Sequence, residues 1–250
     1  MNLNRDHRLK SNYPDDENTE NTQLNSSDTV ANAGSLLRLL HLFDSQLPVG
    51  AFAHSSGLET YGQLADFDKQ ALKELLESHL TYGWGRLDLA AVSQAWRLSQ
   101  SDGDLTELND IVAASKVIPG LFQTSLKLGQ RTYKLAKRLY NVPMLPIDAP
   151  EDAHQSVVIG WLGATLNLDE HALVLAFASS TVMTTLTSAT RAMALSPEQA
   201  HEILVSLHPC VEQAVMRVLE NPQEHLWSAT PAADLRAHQQ AFLHTRLFQS

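Results

Sequence analysis

Hydrophobic residues follow a helical period over most of the stretch 35–220. They recur three and four positions apart, and no run alternates apolar and polar residues between hairpin turns as strands would. Several helix starts carry their own signal: Asp68 as a cap, Pro119 at a first helical position, and Ser196-Pro-Glu-Gln199 as a capping box. The pattern predicts an all-α fold, a single compact helical domain of about eight to ten helices.

Some local patterns allow sharper expectations about this domain. The stretch 36–43 is apolar nearly all round, which predicts a buried helix. Gly160 and Gly163 predict a helix that packs closely on its neighbours, and a helix over 169–195 is narrowed by Ala, Ser and Thr. That narrow helix is one candidate for a dimer face. Pro209 is expected to kink or split the helix that starts near Ser196.

The two ends of the chain differ from the middle. Residues 1–34 hold seven Asn, six Asp or Glu and only eight hydrophobic residues. So little apolar surface cannot offset the entropy lost on ordering, and a disordered N-terminal arm is expected. The helical domain is expected over 35–220. Residues 221–250 are expected to form a connector, exposed over 221–237, and an extended C-terminal tail.

Composition narrows the classes of function. The formal net charge is −10, whereas a general nucleic-acid binder needs Lys and Arg to neutralise phosphates. A single cysteine excludes a disulfide framework, an iron–sulfur cluster and a cysteine-based zinc finger. No purely apolar run approaches the length of a membrane span, and no secretory signal is visible. We expect a cytoplasmic protein that binds neither nucleic acid nor membrane.

Candidate catalytic and metal-binding motifs are weak. The sequence has no phosphate-binding glycine loop, and no two of its eleven histidines stand four apart. Ser55 and Ser56 lack the strand and the glycine pattern of a nucleophile elbow, and His208-Pro-Cys210 lacks a third group. We therefore expect no catalytic residues, no metal site and no cofactor. A helical small-molecule or metal-binding enzyme stays open as the alternative.

A row of cations marks the helix that begins at Pro119. It carries Lys127, and then Arg131, Lys134, Lys137 and Arg138 at spacings of three and four, which we call the basic stripe. Two interpretations stay open. Such a run is usually a solvated face, but in an acidic protein it is also suited to receive an acidic partner.

Two segments near the ends of the folded stretch carry distinctive motifs. The first reads Leu47-Pro-Val-Gly-Ala-Phe-Ala-His-Ser-Ser-Gly-Leu-Glu59, and the second reads Arg246-Leu-Phe-Gln-Ser250. The first is similar to the N-terminal signature of the UreF family of urease accessory proteins, and the second is similar to that family's R-L-F-R-S terminus. They stand at opposite ends of the stretch 35–250. The sequence departs from the family pattern at 120–125 and at 192–201, after Arg191.

The resemblance implies a helical, homodimeric chaperone of urease maturation, without catalytic activity of its own. Family members bridge a UreD/UreH-type accessory protein and a UreG-type GTPase, and through this complex act on the urease apoprotein during GTP-dependent nickel insertion. A role in modulating GTP hydrolysis is also implied, although no arginine in the sequence is marked as a finger.

The same resemblance carries the expected partner-binding residues. They are Pro48, Gly50, His54, Ser55, Gly57, Glu59, Arg191, Arg246, Leu247, Phe248 and Ser250. By analogy the segment 48–59 faces the GTPase, and Arg246–Phe248 anchor the UreD-type partner. Other roles stay open: turn formation for the glycines and Pro48, core packing for Phe52 and Leu58, and docking of the tail on its own domain.

Overall fold

The computed structural model describes residues 26–244 and 246–249, which form ten α-helices, three short 3-10 helices and no strand. The α-helices are α1 (Ser26–Leu42), α2 (Leu58–Tyr61), α3 (Lys69–Tyr82), α4 (Trp84–Gln100), α5 (Thr106–Ser115), α6 (Pro119–Tyr140), α7 (Gln155–Thr165), α8 (Glu170–Ala192), α9 (Pro197–Glu220) and α10 (Pro231–Gln240). The 3-10 helices are Ala51–Ala53, Pro150–Asp152 and Pro222–His225. The predicted all-α fold is confirmed.

The helix-start signals in the sequence act as expected. The Asp68 carboxylate accepts a hydrogen bond from the backbone N–H of Ala71 at 2.9 Å. Ser196 and Gln199 form a complete capping box, each side chain accepting from the other's backbone N–H, and Pro119 is the first residue of α6. Each such cap contributes about 1 kcal/mol, because it satisfies N–H groups that have no partner inside the helix.

Helix α7 forms the centre of the molecule. Nine consecutive residues, Ser156–Ala164, are all buried. It packs most extensively on α4 and also on α6 and α8, while α9 packs on α3, α4 and α8. A helix that is apolar all round needs neighbours on every side, and α7 has them.

Gly160 sets the distance between α7 and α4. A Cβ atom on Gly160 would lie 2.3 Å from the carbonyl oxygen of Val92 and 2.6 Å from the Cβ of Ala95. A Cβ on Gly163 would instead meet a side-chain atom of Leu173, at 2.2 Å. The expectation of close packing at these glycines is confirmed. At Gly160 the nearest atom that a new methyl group would meet belongs to the backbone of α4.

Helix α1 corrects two expectations. It begins at Ser26, so the expected boundary at residue 34 lies inside a helix; residues 1–25 of the expected arm lie outside the described residues. The predicted burial of 36–43 is wrong for Leu36, Leu37 and Leu40, which are 53%, 68% and 61% exposed. Since α1 lies on the surface of the domain, only the side of the helix with Leu42 is covered.

The stretch 221–237 has more secondary structure than the connector that we expected, although most of its residues are exposed or half-buried. Helix α10 occupies 231–240, begins at Pro231 and buries Ala233 and Gln240. It packs on α2 and α6. Of the kink or split expected at Pro209, the split does not occur, because α9 continues through Pro209 to Glu220, and the kink stays a prediction.

Within the described residues, α8 is the single helix long and apolar enough by composition to cross a membrane. Only 44% of its apolar window is buried in the domain. The hydroxyls of Thr181, Thr184 and Thr185 donate to carbonyls four residues earlier, which satisfies these groups within the helix. Length and composition alone therefore do not distinguish α8 from the core helix of a globular protein.

A buried histidine closes the N-terminal end of α7. The His154 side chain is fully buried, with Nδ1 3.0 Å from the hydroxyl of Ser125. Its backbone N–H donates to the side-chain oxygen of Asn109 at 2.9 Å. Burial, reinforced by the charge of Lys116, lowers the pKa of His154 from 6.5 to about 4. The ring is therefore neutral at physiological pH.

Replacing Gly160 with alanine should lower the free energy of unfolding by about 1–3 kcal/mol, because the new methyl group forces α4 and α7 apart. The better helix propensity of alanine, about 1 kcal/mol, offsets only part of this cost. Urea denaturation measures the change. Gly34→Ala is the matched control, since nothing lies within 4 Å of its Cβ and its stability should hold or rise. A Gly160→Ala protein as stable as wild type would show that the contact is not tight.

Acid should destabilise the fold through His154. Between pH 6.5 and 4 the unfolded chain binds a proton there that the folded chain excludes, so stability present above pH 6.5 is lost as the pH falls. The expected loss from this residue between pH 7 and 5 is about 2 kcal/mol. Urea titrations at each pH measure the free energy of unfolding. Its dependence on pH should be weaker in His154→Gln, whereas in His171→Gln, at an exposed position, it should be as in wild type. Equal slopes in wild type and His154→Gln would contradict this assignment.

Candidate partner-binding site

Two glycines shape the loop that joins α1 and α2. Gly50 and Gly57 have φ angles of +83° and +95°, in the left-handed region that favours glycine. A Cβ on Gly57 would lie 2.8 Å from the backbone of Ala237 in α10, and one on Gly50 would lie 2.1 Å from a guanidinium nitrogen of Arg131. Both positions therefore serve the turn and a close approach by another element.

The side chain of Gln240 joins this loop to α10. Its oxygen accepts from the hydroxyl of Ser55 at 2.9 Å and from the backbone N–H of Gly57 at 2.7 Å. Its amide nitrogen donates to Glu59 at 3.3 Å. All of these groups are buried, so each hydrogen bond avoids the cost of an unpaired polar group.

Glu59 extends the same network to the end of the chain. Its second carboxylate oxygen accepts the backbone N–H of Leu247 at 2.6 Å. Two residues on, the backbone N–H of Gln249 donates to the carbonyl of Ala53 at 2.9 Å. The tail therefore lies along the first motif, and Glu59 is a buried polar contact rather than a base facing a substrate.

Phe248 and Arg191 complete the junction. Phe248 is 4% exposed, and the guanidinium carbon of Arg191 lies 4.6 Å from the centre of its ring. Arg191 also donates to the carbonyl of Phe52 at 3.1 Å. The two sequence segments that carry the family resemblance thus converge on one place, and Arg191 in α8 contacts both of them.

His54 anchors the loop from inside. Its Nδ1 lies 3.3 Å from the hydroxyl of Thr124 in α6, and its carbonyl accepts from Ser188 in α8 at 3.3 Å. Burial lowers the pKa of His54, and the charges of Lys127 and Arg131 lower it further. The ring on α6 and the backbone carbonyl on α8 together hold the loop against two helices.

The outer side of this junction is exposed and largely apolar. Phe52 is 59% and Leu247 is 64% exposed, and Pro48, Arg191 and Arg246 are exposed beside them. We call these five residues the junction surface. The expectation of core packing holds for Leu58, which is 2% exposed, and is wrong for Phe52. The loop fixes the Phe52 backbone while its ring points to solvent.

The expected partner-binding residues fall into two groups. Those inside the junction are Gly50, His54, Ser55, Gly57, Glu59 and Phe248, whereas Pro48, Arg191, Arg246 and Leu247 lie on its surface. Ser250 lies outside the described residues. Phe248 packs against its own domain, so the interpretation of the tail as self-docking holds for this residue. Partner binding stays a prediction for its exposed neighbours, Arg246 and Leu247.

Sequence reasoning missed Gln240 and the position of Arg131. Gln240 falls in a stretch with little apolar pattern, and nothing local marks it as the residue that joins two ends of the chain. Arg131 was visible in the basic stripe, but its hydrogen bond to the carbonyl of Val49, at 3.2 Å, depends on how the loop packs on α6.

The cysteine thiol, a potential catalytic group, lies outside the junction and is not activated as a nucleophile. Cys210 is half-buried in α9, and burial together with the charge of Glu77 raises the pKa of its thiol. A raised pKa lowers the fraction of reactive thiolate. In the part of the chain that the structure describes, no three His, Cys, Asp or Glu side chains are placed to hold a metal ion.

Comparison with known proteins adds to this geometry. The UreF family model matches residues 67–208, from just before α3 into α9. The urease accessory protein UreF of Actinobacillus pleuropneumoniae serotype 3 (strain JL03) is 32% identical over 226 residues, which cover 87% of this chain and 100% of the relative. That of Haemophilus influenzae (strain PittEE) is 32% identical over 221 residues, covering 85% and 94%.

A more distant relative is similar over the same extent. The urease accessory protein UreF of Bacillus sp. (strain TB-90) is 27% identical over 224 residues, covering 86% of this chain and 99% of the relative. The family match covers most of the helical domain, and the full-length relatives extend over nearly the whole chain. On these grounds the chain belongs to the UreF family of urease accessory proteins.

Proposed function

We propose that the protein is a urease maturation chaperone that bridges a UreD/UreH-type accessory protein and a UreG-type GTPase. In this role it acts as a cytoplasmic homodimer, supports GTP-dependent nickel insertion into the urease apoprotein, and modulates GTP hydrolysis without carrying the nucleotide. Membership of the UreF family supports the urease role. The observation that carries the bridging role is the junction surface.

The junction surface has the composition of a binding hot spot. Aromatic residues and arginine are enriched at the centres of protein interfaces, where they contribute most of the binding energy. Phe52, Leu247 and Arg246 are all exposed although they stand on buried neighbours. Covering the two apolar side chains is favourable by about 1.5–3 kcal/mol for each one fully buried.

The junction surface is also held in place before a partner arrives. The backbone on both sides of Phe248 is hydrogen-bonded to the first motif, through Glu59 and through Ala53. Arg191 is fixed by the Phe52 carbonyl and the Phe248 ring. Side chains that are ordered in advance lose less entropy on binding, which favours affinity.

The contact between the two motifs supports a bridge rather than two separate sites. By the family resemblance, segment 48–59 faces the GTPase and Arg246–Phe248 the UreD-type partner. Since these segments are hydrogen-bonded to each other, partners that use them would lie side by side. Such neighbours could be coupled through one rigid loop.

Removing the exposed part of the junction surface should weaken partner binding without unfolding the domain. We expect Arg246→Ala with Leu247→Ala to lower affinity for the UreD-type partner at least tenfold in pull-downs and in size-exclusion chromatography after co-expression. The melting temperature should stay close to wild type, because both side chains are exposed. Val205→Ala, which trims an exposed apolar side chain on α9, is the matched control. Undiminished binding by the double variant would remove the tail from the interface.

Removing the Glu59 carboxylate should release the tail. In Glu59→Ala the N–H of Leu247 and the amide of Gln240 lose their acceptor, so the bond after Arg246 should be cleaved by trypsin several-fold faster. Mass spectrometry of the shortened chain measures the rate. Glu59→Gln keeps one side-chain oxygen, which can still accept the N–H of Leu247 although its amide nitrogen cannot accept from Gln240. The bond after Arg246 should therefore be cleaved more slowly than in Glu59→Ala. If Glu59→Ala is cleaved no faster than Glu59→Gln, the carboxylate does not hold the tail.

A further inference from the structure

Helix α6 combines two properties that are unusual in an acidic chain. The chain has 28 Asp and Glu against 18 Lys and Arg, yet the 22 residues of α6 include five cations and no carboxylate. Like charges three and four apart on a helix repel one another. A helix face that is only solvated would be expected to carry acidic residues among the cations, because these reduce the repulsion.

The cations of α6 are also largely unpaired. Lys127, Lys134 and Arg138 are exposed and make no hydrogen bond or ion pair with any residue that the structure describes. By contrast, Lys69 of α3 pairs with Glu202, Lys73 with Glu77, and Lys116, just after α5, with Asp88. The charge on α6 is therefore left available to an external group.

The basic stripe is continuous with the junction surface. Arg131 donates to the carbonyl of Val49, the residue between Pro48 and Gly50, and its guanidinium occupies the space that a side chain at Gly50 would need. The field of the stripe also reaches the loop interior, since the charges of Lys127 and Arg131 lower the pKa of His54. A partner seated on segment 48–59 would meet these cations next.

We propose that the basic stripe, with Lys127, is a docking surface for an acidic face of the UreG-type GTPase, the partner assigned to the adjoining segment 48–59. This proposal rests on the function proposed above and adds the chemistry that one partner must present. The basic stripe together with Lys127 is about 16 Å long, from Lys127 to Arg138, which is the length of three helical turns. The complementary face carries a row of carboxylates over a similar length.

Charges of this kind act mainly on the rate of association. Exposed pairs contribute little to final stability, but complementary fields accelerate encounter by tenfold or more and are screened by salt. The stripe is therefore a steering surface beside the apolar hot spot. The junction surface would then determine how long the complex lasts.

The test compares two charge reversals of equal size in the full-length chain. Lys134→Glu with Arg138→Glu removes two unpaired cations of the stripe, whereas Lys69→Glu with Lys73→Glu makes the same change in net charge on α3. Association rates with the UreD-type and UreG-type proteins of the same organism are measured by surface plasmon resonance from 50 to 300 mM NaCl. A third variant, Lys134→Arg with Arg138→Lys, keeps the charge.

We expect the stripe reversal to slow association with the UreG-type partner at least tenfold at 50 mM NaCl and to flatten its salt dependence, while association with the UreD-type partner stays within about twofold of wild type. The α3 reversal and the charge-preserving variant should stay within about twofold of wild type. Circular dichroism should show the same helix content in all variants. Equal slowing by both reversals would mean a general effect of net charge, and no slowing by the stripe reversal would mean no contact; either result overturns the proposal.

Two further outcomes are separated by the same experiment. If wild-type protein binds neither partner, the proposed bridging function fails, and the docking surface fails with it. In the other outcome binding is intact, but neutralising four acidic residues speeds association and abolishes the effect of the stripe reversal. These residues are Asp15, Asp16, Glu17 and Glu20. The chain's own N-terminal acidic segment is then the occupant of the stripe. That result would overturn the proposal of a partner's acidic face.

Discussion

The buried carboxylate of Glu59 and the amide of Gln240 hold together parts of the chain that are about 180 residues apart. Through them the first motif, α10 and the tail become one junction, with polar groups that are buried and hydrogen-bonded. A network of this kind stabilises only when every member has its partner. The conformation of the tail therefore depends on the loop, and the burial of the loop depends on the tail.

The body of the domain serves this junction by being rigid. Helix α7 is buried on every side, and Gly160 lets α4 approach it to backbone contact. Against this core, α6 and α8 present Thr124 and Ser188 to His54 at fixed positions. Binding residues held on well-packed helices keep their geometry, which suits a protein that works through its surface.

Interior and surface have different parts in the proposed recognition of partners. Glycines at 50 and 57, together with Glu59 and Phe248, shape the junction from inside, while Phe52, Arg246 and Leu247 are its exposed part. Beside them the unpaired cations of α6 provide a long-range field. An apolar surface for affinity next to a charged one for encounter is a common arrangement in protein interfaces.

The sequence by itself determined the helical class, the caps at Asp68 and Ser196, the tight packing at Gly160 and the family. The first three follow from spacing and capping within a few residues of the chain, and the family follows from the resemblance of its two motifs. Only the tertiary structure decided that Leu36, Leu37 and Leu40 are exposed, that 231–240 is a helix, and that Gln240 joins the two motifs. Local pattern cannot fix such features, because burial and long-range hydrogen bonds depend on which distant elements pack against each face.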